Sequence, residues 1–146
     1  RCGCHCGAAH AGSQSGGDEL NIPRAGLNYG WPTIGYGIDY NGQPQHEASA
    51  REGMEQPVYY WDPVIAPGDM DFYRGSLFPW RGDILIGGLN SQVLVRLRIE
   101  GERVTGEERF PLGVGRIRDI AESEDGALWI ITDEDRGRVL RLTPQS

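Results

Sequence analysis

The sequence predicts an all-β chain made of about three four-stranded antiparallel blades of a β-propeller, and three observations carry that expectation. Glycine supplies 22 of the 146 residues, about twice its average usage, with nine prolines beside it. Such a composition means many turns. Apolar residues fall in short β-rich runs between turn signals, and no segment offers a sustained helical period. Two of these runs also recur at a fixed distance. Asp83-Ile84-Leu85-Ile86 lies over Leu128-Trp129-Ile130-Ile131, and Leu94-Val95-Arg96-Leu97 over Val139-Leu140-Arg141-Leu142, both after the same shift of 45 residues. A four-stranded unit recurring every ~40–45 residues is the signature of a propeller blade, whereas a β-sandwich gives no reason for a constant offset.

Along the chain, residues 1–15 read as a frayed start outside the fold. The Cys2-x-Cys4-x-Cys6 run with His5 and His10 lacks the distant second ligand pair of a zinc site. Gly16 to Asn41, rich in Gly, Asn and Tyr, reads as a long structured loop, and polar Asn41 to Glu55 as a surface excursion. Strands follow at Pro57–Trp61, Met70–Tyr73, Asp83–Gly87, Val93–Ile99, Arg103–Phe110, Arg116–Ala121, Ala127–Thr132 and Arg138–Thr143. Asn41-Gly42, Pro67-Gly68, Glu100-Gly101, Asp125-Gly126 and Arg136-Gly137 are the turn signals between them. A propeller usually needs ~4–8 blades, so these residues amount to part of a ring whose unpaired blade edges could self-associate.

Acids outnumber bases 21 to 14, giving a formal charge of −7. That excludes a nucleic-acid partner, whose phosphates require a basic footprint. No apolar run approaches the ~18 residues of a membrane-spanning helix. Arg116 and Arg118, two apart on a predicted strand, place both guanidinium groups on one face and Asp119 on the other. They either pair with surface carboxylates or clamp an anionic ligand such as a polycarboxylate. Asp18, Glu19, Tyr29 and Asp39, within a glycine-rich stretch, offer the carboxylates and carbonyls that calcium uses. The triplet Asp133-Glu134-Asp135 reads as a solvated hairpin tip. Trp31, Trp61, Trp80 and Trp129 read as packing residues. No histidine sits in a Ser-His-Asp or Cys-His pattern.

Gly16-Gly17-Asp18-Glu19-Leu20-Asn21 and Asn28-Tyr29-Gly30-Trp31-Pro32 open a series of motifs. Glu55-Gln56-Pro57-Val58-Tyr59-Tyr60-Trp61, Ile65-Ala66-Pro67, Met70-Asp71-Phe72-Tyr73, Ile86-Gly87-Gly88-Leu89 and Arg116-Ile117-Arg118-Asp119 continue it. Thr132-Asp133-Glu134 and Arg138-Val139-Leu140-Arg141-Leu142 close it. In order and spacing, the stretch from Gly16 to Pro144 resembles the C-terminal portion of the soluble quinoprotein aldose sugar dehydrogenases, the glucose/sorbosone dehydrogenase family.

The resemblance implies a six-bladed propeller that binds pyrroloquinoline quinone (PQQ) and Ca2+ and oxidises the C1 hydroxyl of an aldose to the lactone. A histidine takes the hydroxyl proton, the hydride passes to the quinone, and the electrons leave to an external acceptor outside the cytoplasm, in the periplasm or as a secreted protein. By the same resemblance Tyr40, Gly88, Leu89, Asn90, Arg116, Ile117 and Arg118 contact the cofactor. Glu19 and Tyr29 hold calcium, Tyr29 through its carbonyl oxygen. Asn90 stands where relatives carry lysine, which keeps a donor and loses a positive charge. Ala11-Gly12-Ser13-Gln14-Ser15 replaces the family's His-Gly-Pro-type run. None of His5, His10 and His46 matches the base histidine, so the 146 residues alone are expected to be inactive. The alternative is a non-catalytic propeller segment that binds a ligand or a protein.

Overall fold

The computed structural model describes residues 3–5, 16–38, 43–44 and 46–145, the first of these as backbone only. The chain divides into two compact units, Arg1–Val64 and Ile65–Ser146. Every regular element among the described residues is a β-strand, in three antiparallel sheets that correspond to blades of a partial propeller. No helix is long and apolar enough to cross a membrane among the described residues.

The first unit holds a three-stranded sheet of β1 (Gly3–His5), β2 (Asp18–Asn21) and β3 (Tyr59–Trp61), in that order. Two of these strands correct the sequence reading. Gly3–His5, expected to lie outside the fold, pairs with Glu19–Asn21. Asp18–Asn21, expected to be loop, is the central strand and pairs with Tyr59–Trp61. Leu20 and Trp61 are both buried there. Trp31, expected to pack, is instead 62% exposed.

The second unit begins with a four-stranded sheet, β4 (Pro67–Phe72), β5 (Ile84–Gly88), β6 (Leu94–Glu100) and β7 (Arg103–Phe110), in sequence order. Successive antiparallel strands need only tight connections, and Gly101 at the β6–β7 turn takes the positive φ of 62° that such a turn requires. A three-stranded sheet follows, β8 (Ile117–Glu122), β9 (Leu128–Thr132) and β10 (Val139–Leu142). The expected four-stranded blade is therefore complete once, and the other two described sheets have three strands each. The 45-residue shift carries β5 onto β9 and β6 onto β10, the second and third strands of their sheets in chain order.

The core of this unit lies between its two sheets. Tyr73, Phe78, Leu85, Leu94, Ile117, Ile120, Leu128 and Ile130 form it, with Trp80, Phe110, Leu140 and Leu142 packed against it. Strand β9 shows why the sequence folds this way. Leu128, Ile130 and Thr132 turn inward while Trp129 and Ile131 face out, the period-2 pattern of a sheet with one buried face. Tyr73 ties the two sheets together, its hydroxyl donating to the Gly126 carbonyl at 2.8 Å and accepting from the Phe78 amide at 3.0 Å. At the outer side Arg96 bridges Asp83 and Glu108, at 2.6 and 2.8 Å, above the Trp80 ring.

Candidate functional site

Strands β4 and β8 each carry a β-bulge at one end, and the two bulges meet. In β4 the register slips between Pro67 and Asp69, so Gly68 is an extra residue in a strand, not the turn its Pro-Gly sequence predicts. In β8 the register slips between Ile117 and Asp119, which makes Arg118 the extra residue. Gly68 lets these backbones touch: a Cβ there would stand 2.5 Å from the Arg118 carbonyl oxygen and 2.7 Å from that of Ile117. Gly87, at the end of β5, is equally confined, because a Cβ would lie 2.6 Å from Ile117 Cγ2. Two glycines thus seat the start of β8 against the ends of β4 and β5. The bulge also breaks strict alternation, and Arg118 and Asp119 are both exposed where opposite faces were expected.

Arg116 and Arg118 are brought together by Asp133, the residue after β9. Arg116 donates through Nε and Nη2 to Asp133 Oδ2 at 3.0 Å, and Arg118 donates through Nη2 to the same oxygen at 2.9 Å. The Asp133 amide donates to the Arg116 carbonyl at 2.9 Å, so side chain and backbone hold the same partner. The Arg116 hydrogen bond, and after it that of Arg118, keep the Asp133 carboxyl below the usual carboxylate range against the opposing effect of burial. Behind it Glu134 fills the space over Gly115, whose φ of 84° and missing Cβ it exploits. Glu134 also pairs with Arg138 at 3.6 Å, and Arg138 Nη2 donates to the Val114 carbonyl at 2.7 Å. The triplet lies in the β9–β10 connection with Glu134 and Asp135 exposed, as a solvated tip should be, but Asp133 and Glu134 also brace residues 114–118. The spacing held a signal for this brace: Asp133 lies 17 and 15 residues after the two arginines, one hairpin away and just past the end of the adjoining strand.

The arginine pair is half exposed, with side chains 46% and 52% accessible. Two guanidinium charges against one carboxylate leave one positive charge. Arg116 Nη1 and Arg118 Nε and Nη1 have no protein partner among the described residues, which leaves donors for a further anion. The loop Gly88–Asn90 follows directly from Gly87 and hangs on the backbone before β4: Leu89 N donates to Ala66 O at 2.8 Å and Asn90 N to Ile65 O at 3.1 Å. Asn90 is exposed, while the Ile117 side chain is wholly buried in the core. Ile117 therefore offers a ligand only its backbone.

In the first unit the Tyr29 hydroxyl is committed, donating to Ile22 O at 2.6 Å and accepting from Arg24 N at 2.8 Å. What Tyr29 has left for a cation is its carbonyl oxygen. Glu19 Oε2 accepts from Asn21 Nδ2 at 3.3 Å, and Asn21 Oδ1 is buried without a hydrogen-bond partner among the described residues. Tyr36 stacks on Tyr60 with ring centroids 4.4 Å apart. Burial, then the Tyr60 and Glu19 charges, push its hydroxyl pKa up. No group of three His, Cys, Asp or Glu side chains poised for a metal occurs among the described residues. Asp39 and Tyr40 lie outside the described residues, as do Cys2, Cys6 and His10.

The sequence model of the family described as "Glucose / Sorbosone dehydrogenase" matches residues 9–141, beginning inside the stretch expected to fall outside the domain. The aldose sugar dehydrogenase YliI of Escherichia coli is 39% identical over 135 residues, 90% of this chain and 36% of that protein. A crystal structure of a glucose dehydrogenase superposes with a TM-score of 0.85 at 43% identity, over 90% of this chain and 39% of the other. The PQQ-bound aldose sugar dehydrogenase of Streptomyces coelicolor shares the fold, with a TM-score of 0.64 at 24% identity, over 90% of this chain and 37% of its own. The chain thus spans a little over a third of the length of these relatives. With the family model covering nearly its whole length, the chain belongs to the glucose/sorbosone dehydrogenase family.

Proposed function

We propose that these residues form the cofactor-carboxylate face of a PQQ-dependent aldose dehydrogenase, a protein that oxidises an aldose at C1 and passes the electrons to an external acceptor. The observation that carries this reading is the braced Arg116–Arg118 pair, with one surplus positive charge and unspent N–H donors on an exposed strand end. A polycarboxylate such as PQQ suits that donor set, since each guanidinium can fork onto a carboxylate. Gly68 and Gly87 let the ends of β4 and β5 press against the start of β8, so the residues after Gly87 lie at the same end of the sheets as the arginine pair. A relative of the same fold carries PQQ in its solved structure.

When bound, PQQ supplies the hydride-accepting quinone. The residues of this chain bind and orient it. Arg116 and Arg118 neutralise carboxylate charge, and Asn90 offers an amide donor where a lysine would have added a positive charge. Tyr40 is a further proposed contact. Glu19 and the Tyr29 carbonyl would hold Ca2+, for which Asn21 Oδ1, without a partner among the described residues, is a chemically suitable neighbour. No histidine of the 146 residues matches the family base, so the chain alone should turn over little or no sugar. An extracytoplasmic, periplasmic or secreted setting belongs to the same proposal.

Gel filtration of the chain with PQQ and Ca2+, followed by a dye-linked assay with glucose, tests this reading. Quinone absorbance should co-elute with the protein while dye reduction stays near background. A folded chain that leaves all its PQQ in the small-molecule fraction would contradict the binding role. Turnover near that of full-length relatives would contradict the missing base. The non-catalytic alternative, a propeller segment that binds another ligand or a protein, keeps its partner when Arg116 and Arg118 are both changed to Ala.

A further inference from the structure

We infer that Asp133 is the positioning residue of the arginine pair: it holds both guanidinium groups in one orientation and thereby sets their affinity for a cofactor carboxylate. This rests on the reading of Arg116 and Arg118 as the cofactor clamp. Two like-charged, rotamer-rich side chains at an exposed strand end repel each other and would otherwise sample many orientations. Asp133 Oδ2 receives both, at 3.0 and 2.9 Å. Its own placement is fixed, because its amide bonds the Arg116 carbonyl and the preceding Thr132 is buried and paired with Ile117.

The neighbouring acids are engaged elsewhere. Glu134 pairs with Arg138, and the Asp119 carboxyl lies beside that of Asp69. One carboxylate therefore serves two guanidinium groups, enough to order them and too little to neutralise them. An anionic ligand then meets a clamp already in place and spends less on ordering it. The opposite possibility is that Asp133 occupies the clamp as an internal competitor, and the two make opposite forecasts.

The experiment titrates PQQ with Ca2+ into the 146-residue chain and into Asp133→Asn, Asp133→Glu and Arg116→Ala/Arg118→Ala. Nitrogen-15 spectra of the arginine Nε–H groups are recorded without PQQ. We expect Asp133→Asn to weaken PQQ binding at least about tenfold and to remove the protected Arg116 Nε–H signal while the melting temperature stays close to that of the parent. Asp133→Glu should restore part of both. Equal or tighter PQQ binding by Asp133→Asn, with the double arginine variant still inactive in binding, would overturn the positioning role and leave the clamp standing. Undiminished binding by the double arginine variant, or none by the folded parent, would overturn the clamp and the inference with it.

Discussion

Tyr73 and Asp125 show how single polar groups hold the second unit together. The Tyr73 hydroxyl is buried and serves two backbone partners, Gly126 O and Phe78 N. Tyr73→Phe leaves both without their partner, and the expected cost is about 1–3 kcal/mol, measurable as a lower urea midpoint with an unchanged slope. Asp125 gathers the Ser123 hydroxyl, the Ala127 amide and Arg141, which together lower its pKa to about 2. A depressed carboxylate pKa adds stability above the unfolded value of about 3.8 and loses it as pH falls towards 2. The melting temperature of the parent should therefore drop further than that of Asp125→Asn between pH 5 and pH 2, and parallel drops would contradict the assignment. The sequence shows Asp125-Gly126 as a turn, because Asx chemistry is local. It could not show the Tyr73 bond, whose partner lies 53 residues away.

At the scale of elements, the legible features were those with local causes. All eight strands predicted after residue 56 lie within about three residues of their predicted ends, because alternating apolar residues and Gly turns are written in the chain itself. The misses are long-range. Strand β2 has the polar sequence Asp-Glu-Leu-Asn and is a strand because Tyr59–Trp61 lies beside it. Pro67-Gly68 is a bulge because β8 presses on it. Asp133 is a brace because β9 runs beside β8. The same contact brings Asp69 of β4 to Asp119 of β8. Burial first, and then the hydrogen bond and charge of Asp119, raise the Asp69 pKa against the Met70 amide that lowers it. A raised carboxyl pKa gives stability that is present below the unfolded value and lost as pH rises through the folded one. Asp69→Asn should therefore raise the melting temperature at pH 7 and change it little at pH 3. A variant less stable than the parent at pH 7 would show that the pair does not repel. Gly68→Ala should destabilise at both pH values, since the obstructing atoms are backbone.

Across the whole molecule, the repeat and the Arg-x-Arg-Asp motif were visible in sequence, and the family model spans both. The sheet of β8–β10 keeps one face outside the core, where Trp129, Ile131 and Val139 are 39%, 43% and 64% exposed. Ile131 and Val139 face each other across the ladder. An apolar face beside an edge strand favours association, so the chain should show concentration-dependent self-association in sedimentation velocity. Ile131→Asn/Val139→Asn should reduce it, and a parent that stays monomeric at every concentration would contradict this. On the proposed reading Arg116 and Arg118 clamp a cofactor carboxylate. Its most direct test is calorimetric titration of PQQ, with Ca2+ present, into the parent chain and into Arg116→Ala/Arg118→Ala. The parent should bind PQQ saturably and one to one, and the double variant should lose that binding. Equal binding by both, or none by a folded parent, would contradict it.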